Sequence, residues 1–314
     1  MKKFNFKKID WFKVILGIII LIYLLTKLDY SGLKGSINEI NSDDNKDVIS
    51  DTESTRKLEV NGNLKVYFID VGQADSMLIT YNNKNMLIDA GNNSDGIKLV
   101  NYFKSLNITD FEYVIATHAH EDHIGGMDDI IKNFNIKNFY MPDALSTSKT
   151  FSDVLDSLEE KNMMYETPKV DDRKYLDDAY FDVLSVDDNE KNLNDTSVVI
   201  KLTYGNVKFL FTGDASNNIE KRILSKDIKA DVLKLGHHGS SYSSSNDFLD
   251  KVKPKYGVIE VGLNNIYNHP TNITLEKLNK RNIKIYRTDN DGTIIFNTDG
   301  NKINVNTVKT DTNG

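Results

Sequence analysis

The chain has 314 residues, 39% of them apolar, a formal net charge of −7 and no cysteine. That length admits one large domain or two ordinary ones. The missing cysteines exclude disulfides, thiolate metal sites, a cysteine nucleophile and a lipoprotein anchor, and the acidic balance argues against the basic face of a general duplex-DNA binder.

The first thirty residues differ in kind from the rest. Met1 to Lys13 carries five lysines against one aspartate, and Val14 to Leu25 is an unbroken apolar run of twelve. A spanning helix needs about 20 residues, whereas a run of this length suits the core of a signal peptide. Trp11 and Phe12 extend the run into the interface while Lys13 snorkels. The following TKLDYSG has no small-x-small cleavage site. Residues 1–29 are therefore expected to form one apolar helix, an uncleaved signal anchor with its lysines cytoplasmic and the bulk of the chain outside. Secretion after cleavage is the alternative, and a buried core helix is disfavoured by the polar flanks. Residues 30–61 are polar and acidic and read as a disordered linker. From residue 62 onward, 29 basic and 37 acidic side chains give a net charge of −8.

Residues 62–308 alternate short apolar runs with helical stretches, and 309–314 read as a tail. LKVYFID, SMLIT and NMLID read as three consecutive strands joined by tight loops at VGQAD and YNNK. SDGIKLVNYFKSL has helical spacing with Ser94 as its cap. YVIAT is a buried strand and IGGMDDIIKNF the helix after it. A helix over Phe151 to Glu159 follows, then strands AYFDVLS, SVVIKLTY and VKFLFTG and a helix from Ala215. Strand DVLKLG, helix SNDFLDKV, strand YGVIEV, helix TLEKLNKR and strands IKIYRT, GTIIFN and KINVN complete the domain. This order predicts an α/β layered domain but not the number of sheets.

All six histidines fall in three short loops. His118, His120 and His123 lie in ATHAHEDHIGG, His237 and His238 in LKLGHHGSS, and His269 in YNHPTN. Residues two apart in an extended segment point the same way, so His118 and His120 can reach one metal. Asp122 and His123, one step on, can reach a second. Gly125 and Gly126 allow a close backbone approach. Imidazoles and carboxylates suit zinc, and with more oxygen, manganese. A charged surface loop is the plain alternative, but a buried strand before H-x-H-x-D-H and a glycine pair after it argue otherwise.

His118, His120, Asp122 and His123 match the signature of the metallo-β-lactamase superfamily. FIDVGQADS, LIDAG, FTGDAS, DVLKLGHHGS, VGLNNIYNHP and RTDNDGTI resemble, in order, the hydrolase domain of the ComEC DNA-uptake family, over about Leu64 to Phe296. The departures are Ala74 and Ala90 where the family usually has glycine, and Asn268 before His-Pro. The resemblance implies an αββα four-layer sandwich with two divalent metal ions, zinc or manganese. It implies Asp214 as a carboxylate bridging both ions, against its plain reading as a helix N-cap. His237 or His238 would complete the second site, with His237 preferred. Asp89 would support a metal-bound histidine from behind. Superfamily members normally supply another histidine before the bridging aspartate, yet none lies between His123 and His237. NLNDTSVVI stands there, so Asn194, Asp195 or water would supply oxygen, which favours manganese or magnesium and argues against β-lactam hydrolysis.

The expected chemistry is hydrolysis of a phosphodiester by a water activated to hydroxide between two cations. Asp122 would be both ligand and orienter of the nucleophile. His238 and His269 are candidates to hold the phosphate or protonate the leaving oxygen, although His269 also reads as a turn histidine. Ser240 and Ser241 in GSSYSSS, and Asn264, would bind substrate; a plain serine loop is the alternative for the first two. Asp70, Asp75 and Asp289 read as structural turn residues. The whole predicts an extracytoplasmic, membrane-anchored metal-dependent nuclease acting on single-stranded DNA. Nothing after Leu25 is long and apolar enough to span a membrane, so a role in DNA uptake does not follow. The alternatives are a phosphodiesterase on a small or cell-wall substrate, similar to phosphorylcholine esterases, and a non-catalytic binding module, which would have lost ligands.

Overall fold

The computed structural model describes residues 63–309 except 145 and 189. The expected anchor, the linker and residues 310–314 of the tail lie outside the described residues. Fifteen strands among the described residues form two sheets, in the orders β15-β14-β1-β2-β3-β4-β5-β6 and β13-β12-β11-β10-β9-β8-β7.

The strands β1 (Leu64–Phe68), β2 (Met77–Tyr81) and β3 (Lys84–Ile88) form an antiparallel meander. Asn82 and Asn83 close the second hairpin with φ of 48° and 59°, the left-handed pair that matches strand twist and that asparagine tolerates. Helix α1 (Gly96–Ser105) leads to β4 (Asp110–Ile115), parallel to β3. Helices α2 (Glu121–Ile124) and α3 (Met127–Asn133), β5 (Asn135–Tyr140), α4 (Lys149–Glu160) and β6 (Tyr165–Glu166) continue the parallel edge. The second sheet begins antiparallel with β7 (Arg173–Leu176), β8 (Ala179–Ser185), β9 (Val199–Tyr204) and β10 (Val207–Phe211). It continues parallel through β11 (Val232–Lys234), β12 (Tyr256–Ile259) and β13 (Lys284–Arg287). Helices α5 (Asn217–Ile223), α6 (Asn246–Val252) and α7 (Asn272–Asn279) are the crossovers. After α8 (Thr288–Asp291) the chain returns to the first sheet as β14 (Thr293–Thr298) and β15 (Ile303–Val308).

Side-chain alternation decides the layers. Val207, Phe209 and Phe211 of β10 join Phe68, Ile79, Phe181 and Phe296 in a core between the sheets. Leu210 points the other way, into a core with Ile219, Phe248 and Leu278 of α5 to α7, as a period of two requires. On the far side, Leu78, Leu87 and Val114 pack against Phe103, Ile130 and Val154 of α1, α3 and α4. The result is an α/β sandwich with helices outside both sheets. Each fully buried Phe or Leu contributes about 1.5–3 kcal/mol by removal from water.

Three features differ from expectation. Strands β5, β6 and β7 are absent from the predicted order because polar residues such as Asn135, Lys137 and Asn138 occupy a half-covered edge, where the apolar pattern weakens. Helix α1 is preceded by Asp95 rather than Ser94 as its cap; the Asp95 carboxylate turns back to accept the Asn92 N–H at 3.1 Å. The predicted IGGMDDIIKNF helix is two helices, broken at Gly125 and Gly126.

Candidate metal centre

The site forms where the carboxyl ends of β3 and β4 meet those of β10, β11 and β12 of the other sheet. β4 delivers His118, which is buried, and His120, which caps α2 in an extended conformation (φ −88°, ψ 151°). The two rings meet as the period of two requires, His118 Nε2 lying 3.0 Å from His120 Nδ1. The first turn of α2 then presents Asp122 and His123. Glycines 125 and 126 let this turn press on the loop after β3: an added Cβ at Gly125 would collide with the backbone of Asn92 and Asn93.

Asp214 follows β10 through Gly213, whose φ of 50° turns the chain into the cluster. Its backbone N–H is held by Ser197 Oγ at 3.1 Å. Its carboxylate faces four imidazoles: His123 Nε2 at 3.3 Å, His237 Nε2 at 3.7 Å, His118 Nε2 at 3.9 Å and His238 Nε2 at 4.0 Å. Asp89 stands behind, accepting from His123 Nδ1 at 2.8 Å and from the Thr117 N–H and hydroxyl at 2.8 and 2.7 Å.

His237 and His238 both adopt left-handed backbone, φ 50° and 51°, a conformation costing about 1–3 kcal/mol where glycine is absent. This turn aims both rings inward but separates their surroundings. His238 is buried, with Nε2 3.2 Å from Asp122 Oδ2 and Nδ1 2.9 Å from the Glu260 carbonyl. His237 is half-buried beside Asn194 and His269. The geometry thus groups His238, not His237 as expected, with Asp122 and His123. Donor atoms of Asp122, His123 and His238 lie within 4.8 Å of one another, as do those of His118, His123 and Asp214.

A buried charge network lies beneath. Asp75, expected as a turn residue, is fully buried, ion-paired with Lys234 of β11 and 3.2 Å from His238 Nδ1. Buried Glu260 accepts the Ser76 N–H at 3.0 Å. Asp70 fits the turn reading, accepting the Gly72 N–H at 3.2 Å, whereas Asp289 lies in the short helix α8 and pairs with Arg287. The sequence signal for the network is a lysine and a glutamate inside otherwise apolar segments, DVLKLG and YGVIEV.

This crowding sets the protonation. Burial pushes His123 and His238 down, but the carboxylates of Asp214, Asp89, Asp122 and Asp75 overcome it, holding His123 well above its usual range and His238 at about 10. Burial pushes Asp214 and Asp122 up, and the facing histidines overcome that and hold both low. Burial and the neighbouring His123 keep His118 low. Burial, then His237 and His238, bring His269 down to about 4. The carboxylates thus favour the charged forms of His123 and His238, and those imidazoles favour the charged carboxylates.

The centre opens into a cavity of about 510 Å³ lined by His120, Asp122, Asn194, Asp214, the three later histidines, Gln73, Asn92, Glu121 and Tyr267. Of the two expected oxygen donors, Asn194 reaches it, whereas the Asp195 carboxylate turns away to accept the Ser216 N–H at 3.1 Å. Ser240, Ser241 and Asn264 do not line it. The buried Ser240 hydroxyl accepts the Tyr242 N–H at 3.3 Å, tightening its own loop. Asn264 lines a separate hollow with Arg287 and Asp289. Gln73, Asn92 and Tyr267 carry no ligand-type spacing in the sequence, and Glu121 occupies a variable position of H-x-H-x-D-H.

Comparison with known proteins identifies the family. A metallo-beta-lactamase superfamily model matches residues 69–262. ComE operon protein 3 of Bacillus subtilis is 32% identical over 253 residues, 74% of this chain and 33% of that protein. Competence protein ComA of Neisseria gonorrhoeae is 27% identical over 232 residues, 72% of this chain and 31% of that protein. The chain thus spans about a third of the length of these relatives. The metallo-beta-lactamase fold protein YhfI from Bacillus subtilis superposes with a TM-score of 0.54 at 13% identity, covering 76% of this chain and 100% of that one, a likeness of fold. The chain belongs to the metallo-beta-lactamase superfamily and, within it, is similar to the ComEC-family competence proteins.

Proposed function

We propose that this domain is a two-metal phosphodiesterase that cleaves single-stranded DNA. One observation carries the reading: a buried carboxylate shared by four imidazoles, in which His123 Nε2 and Asp214 Oδ1 are both buried and meet each other only as an ion pair at 3.3 Å, outside hydrogen-bond geometry. Buried polar groups are rarely left so, and this donor set suits zinc or manganese. His118, His120 and Asp214 would hold one ion, with an oxygen from Asn194, whose buried Oδ1 also lacks a partner. Asp122, His123, His238 and Asp214 would hold the other. When bound, two such cations lower the pKa of a water and stabilise charge on phosphoryl oxygens.

The remaining work falls to the chain's own residues. Asp122, on the cavity wall, orients the attacking water. Asp89 fixes the His123 ring. His269, neutral at pH 7, offers a hydrogen bond to a phosphate oxygen but no standing charge. His238 is buried against Asp122 and Glu260 and serves as a ligand rather than a proton donor to the leaving group. The similarity to competence proteins supports DNA as substrate. The sequence of residues 1–29 supports an extracytoplasmic, membrane-anchored position; no helix among the described residues is long and apolar enough to cross a membrane. A second reading, a small or cell-wall phosphodiester, is favoured by a cavity lining without Lys or Arg.

The test uses the full chain, stripped with a chelator and reloaded with manganese or zinc, then incubated with labelled single-stranded DNA. Cleavage is expected, with loss in Asp122→Asn and His120→Ala. Two bound metals without cleavage would transfer the assignment to the second reading. Neither metal nor cleavage would leave only a binding module.

A further inference from the structure

The loop between β12 and α7 holds three large apolar side chains in water: Leu263, Ile266 and Tyr267, which are 71%, 86% and 60% exposed. Of these only Tyr267 lines the metal-centre cavity. Its ring lies on the His269 ring, with centroids 5.8 Å apart and planes 26° from parallel. His269 in turn packs edge-on against His237 at 5.4 Å. The loop is braced. Asn265 Nδ2 donates to the carbonyls of Gly262 and His269 at 3.0 and 2.6 Å, and its Oδ1 accepts the His269 N–H at 3.0 Å. The Gly262 N–H donates to Gln73 Oε1 at 3.1 Å. A flat aromatic ring is thus pre-positioned at the mouth of the site, at little further cost in ordering on binding.

The charge of the lining says what that ring is for. Glu121, Asp122 and Asp214 line the cavity, and no Lys or Arg does. A polyanionic strand gains nothing there from cationic side chains, so contact beyond the reacting phosphate must be non-ionic. Stacking of a base on an aromatic face supplies such contact and tolerates any sequence. A quaternary ammonium is served better by a cage of several aromatic faces, whereas here one phenol ring is backed by one imidazole.

We infer that Tyr267 is the stacking platform for a nucleobase flanking the scissile phosphate. This rests on the DNA phosphodiesterase reading. The test compares KM of the manganese-loaded full chain for a short oligo(dA) and for a strand of equal length made of abasic tetrahydrofuran residues. The unsubstituted protein is expected to favour oligo(dA) by roughly tenfold, equivalent to about 1.4 kcal/mol and within the range for one stacked base. In Tyr267→Ala that preference collapses, and in Tyr267→Phe, which keeps the ring, it survives. A preference that persists undiminished in Tyr267→Ala overturns the platform and leaves the nuclease reading intact. Equal KM for both strands in the unsubstituted protein does the same. Cleavage of neither strand overturns the nuclease reading and the platform together; hydrolysis of a phosphorylcholine ester would then identify the occupant as a small phosphodiester.

Discussion

Asp89 accepts hydrogen bonds from His123 Nδ1 and from the Thr117 N–H and hydroxyl, and so holds His123 Nε2 toward Asp214. Asp89→Asn replaces an acceptor oxygen with a donor facing Nδ1. The expected result is a fall in metal affinity of about 10–100-fold, read by calorimetry or chelator competition; unchanged affinity would show that the ring is fixed by packing alone. Protonation gives a second expectation. His238 titrates at about 10 against an ordinary 6.5, so its charged form stabilises the metal-free fold fully below pH 6.5 and progressively less as the pH rises toward 10. Asp122 and Asp214 shift the other way, so their contribution is present above the ordinary carboxylate range and is lost as the pH falls through their lowered values. Melting of the chelated chain is therefore expected to weaken at both alkaline and acid pH. Cation uptake must expel the imidazole protons, so affinity should fall as the pH is lowered. A melting temperature flat across the alkaline range would argue that His238 is neutral in the free protein.

Two elements owe their placement to contacts that cross the fold. Helix α2 lies against the loop after β3 because Gly125 and Gly126 have no side chains to hold them apart. Gly125→Ala is expected to cost about 1–3 kcal/mol from overpacking, measured by urea denaturation of the metal-free chain, with weaker metal uptake as Asp122 and His123 shift. Strand β11 carries Lys234 to Asp75 in the loop between β1 and β2, an ion pair that joins the two sheets under His238. Lys234→Met leaves the buried Asp75 carboxylate with the His238 ring, 3.2 Å away, as its nearest counter-charge and is expected to destabilise by up to about 3–5 kcal/mol. Adding Asp75→Asn should recover part of that loss, because the two changes act on one interaction. Strict additivity would mean that the pair is not coupled.

At the scale of the whole molecule, the centre draws its donors from both sheets, so a bound cation cross-links the sandwich. At a free-metal concentration of 100 times Kd the expected stabilisation is about 2.7 kcal/mol, or roughly 5–10 °C in melting temperature for a domain of this size; a chelator should reverse it. The sequence by itself determined the superfamily and most of the side chains that gather at the centre. H-x-H-x-D-H off a buried strand, and Asp214 at the end of another, are patterns local in the chain, and periods of two and of 3.6 residues mark most strands and helices. Only the tertiary structure decided that His238 rather than His237 meets Asp122, because both rings leave one left-handed turn whose direction no spacing rule specifies. It also decided that Asp75, Lys234 and Glu260 lie beneath the centre while Ser240, Ser241 and Asn264 lie outside its cavity. Those placements depend on the β1–β2 loop meeting β11 and β12, contacts between segments more than 150 residues apart in the chain, where no local periodicity carries the information.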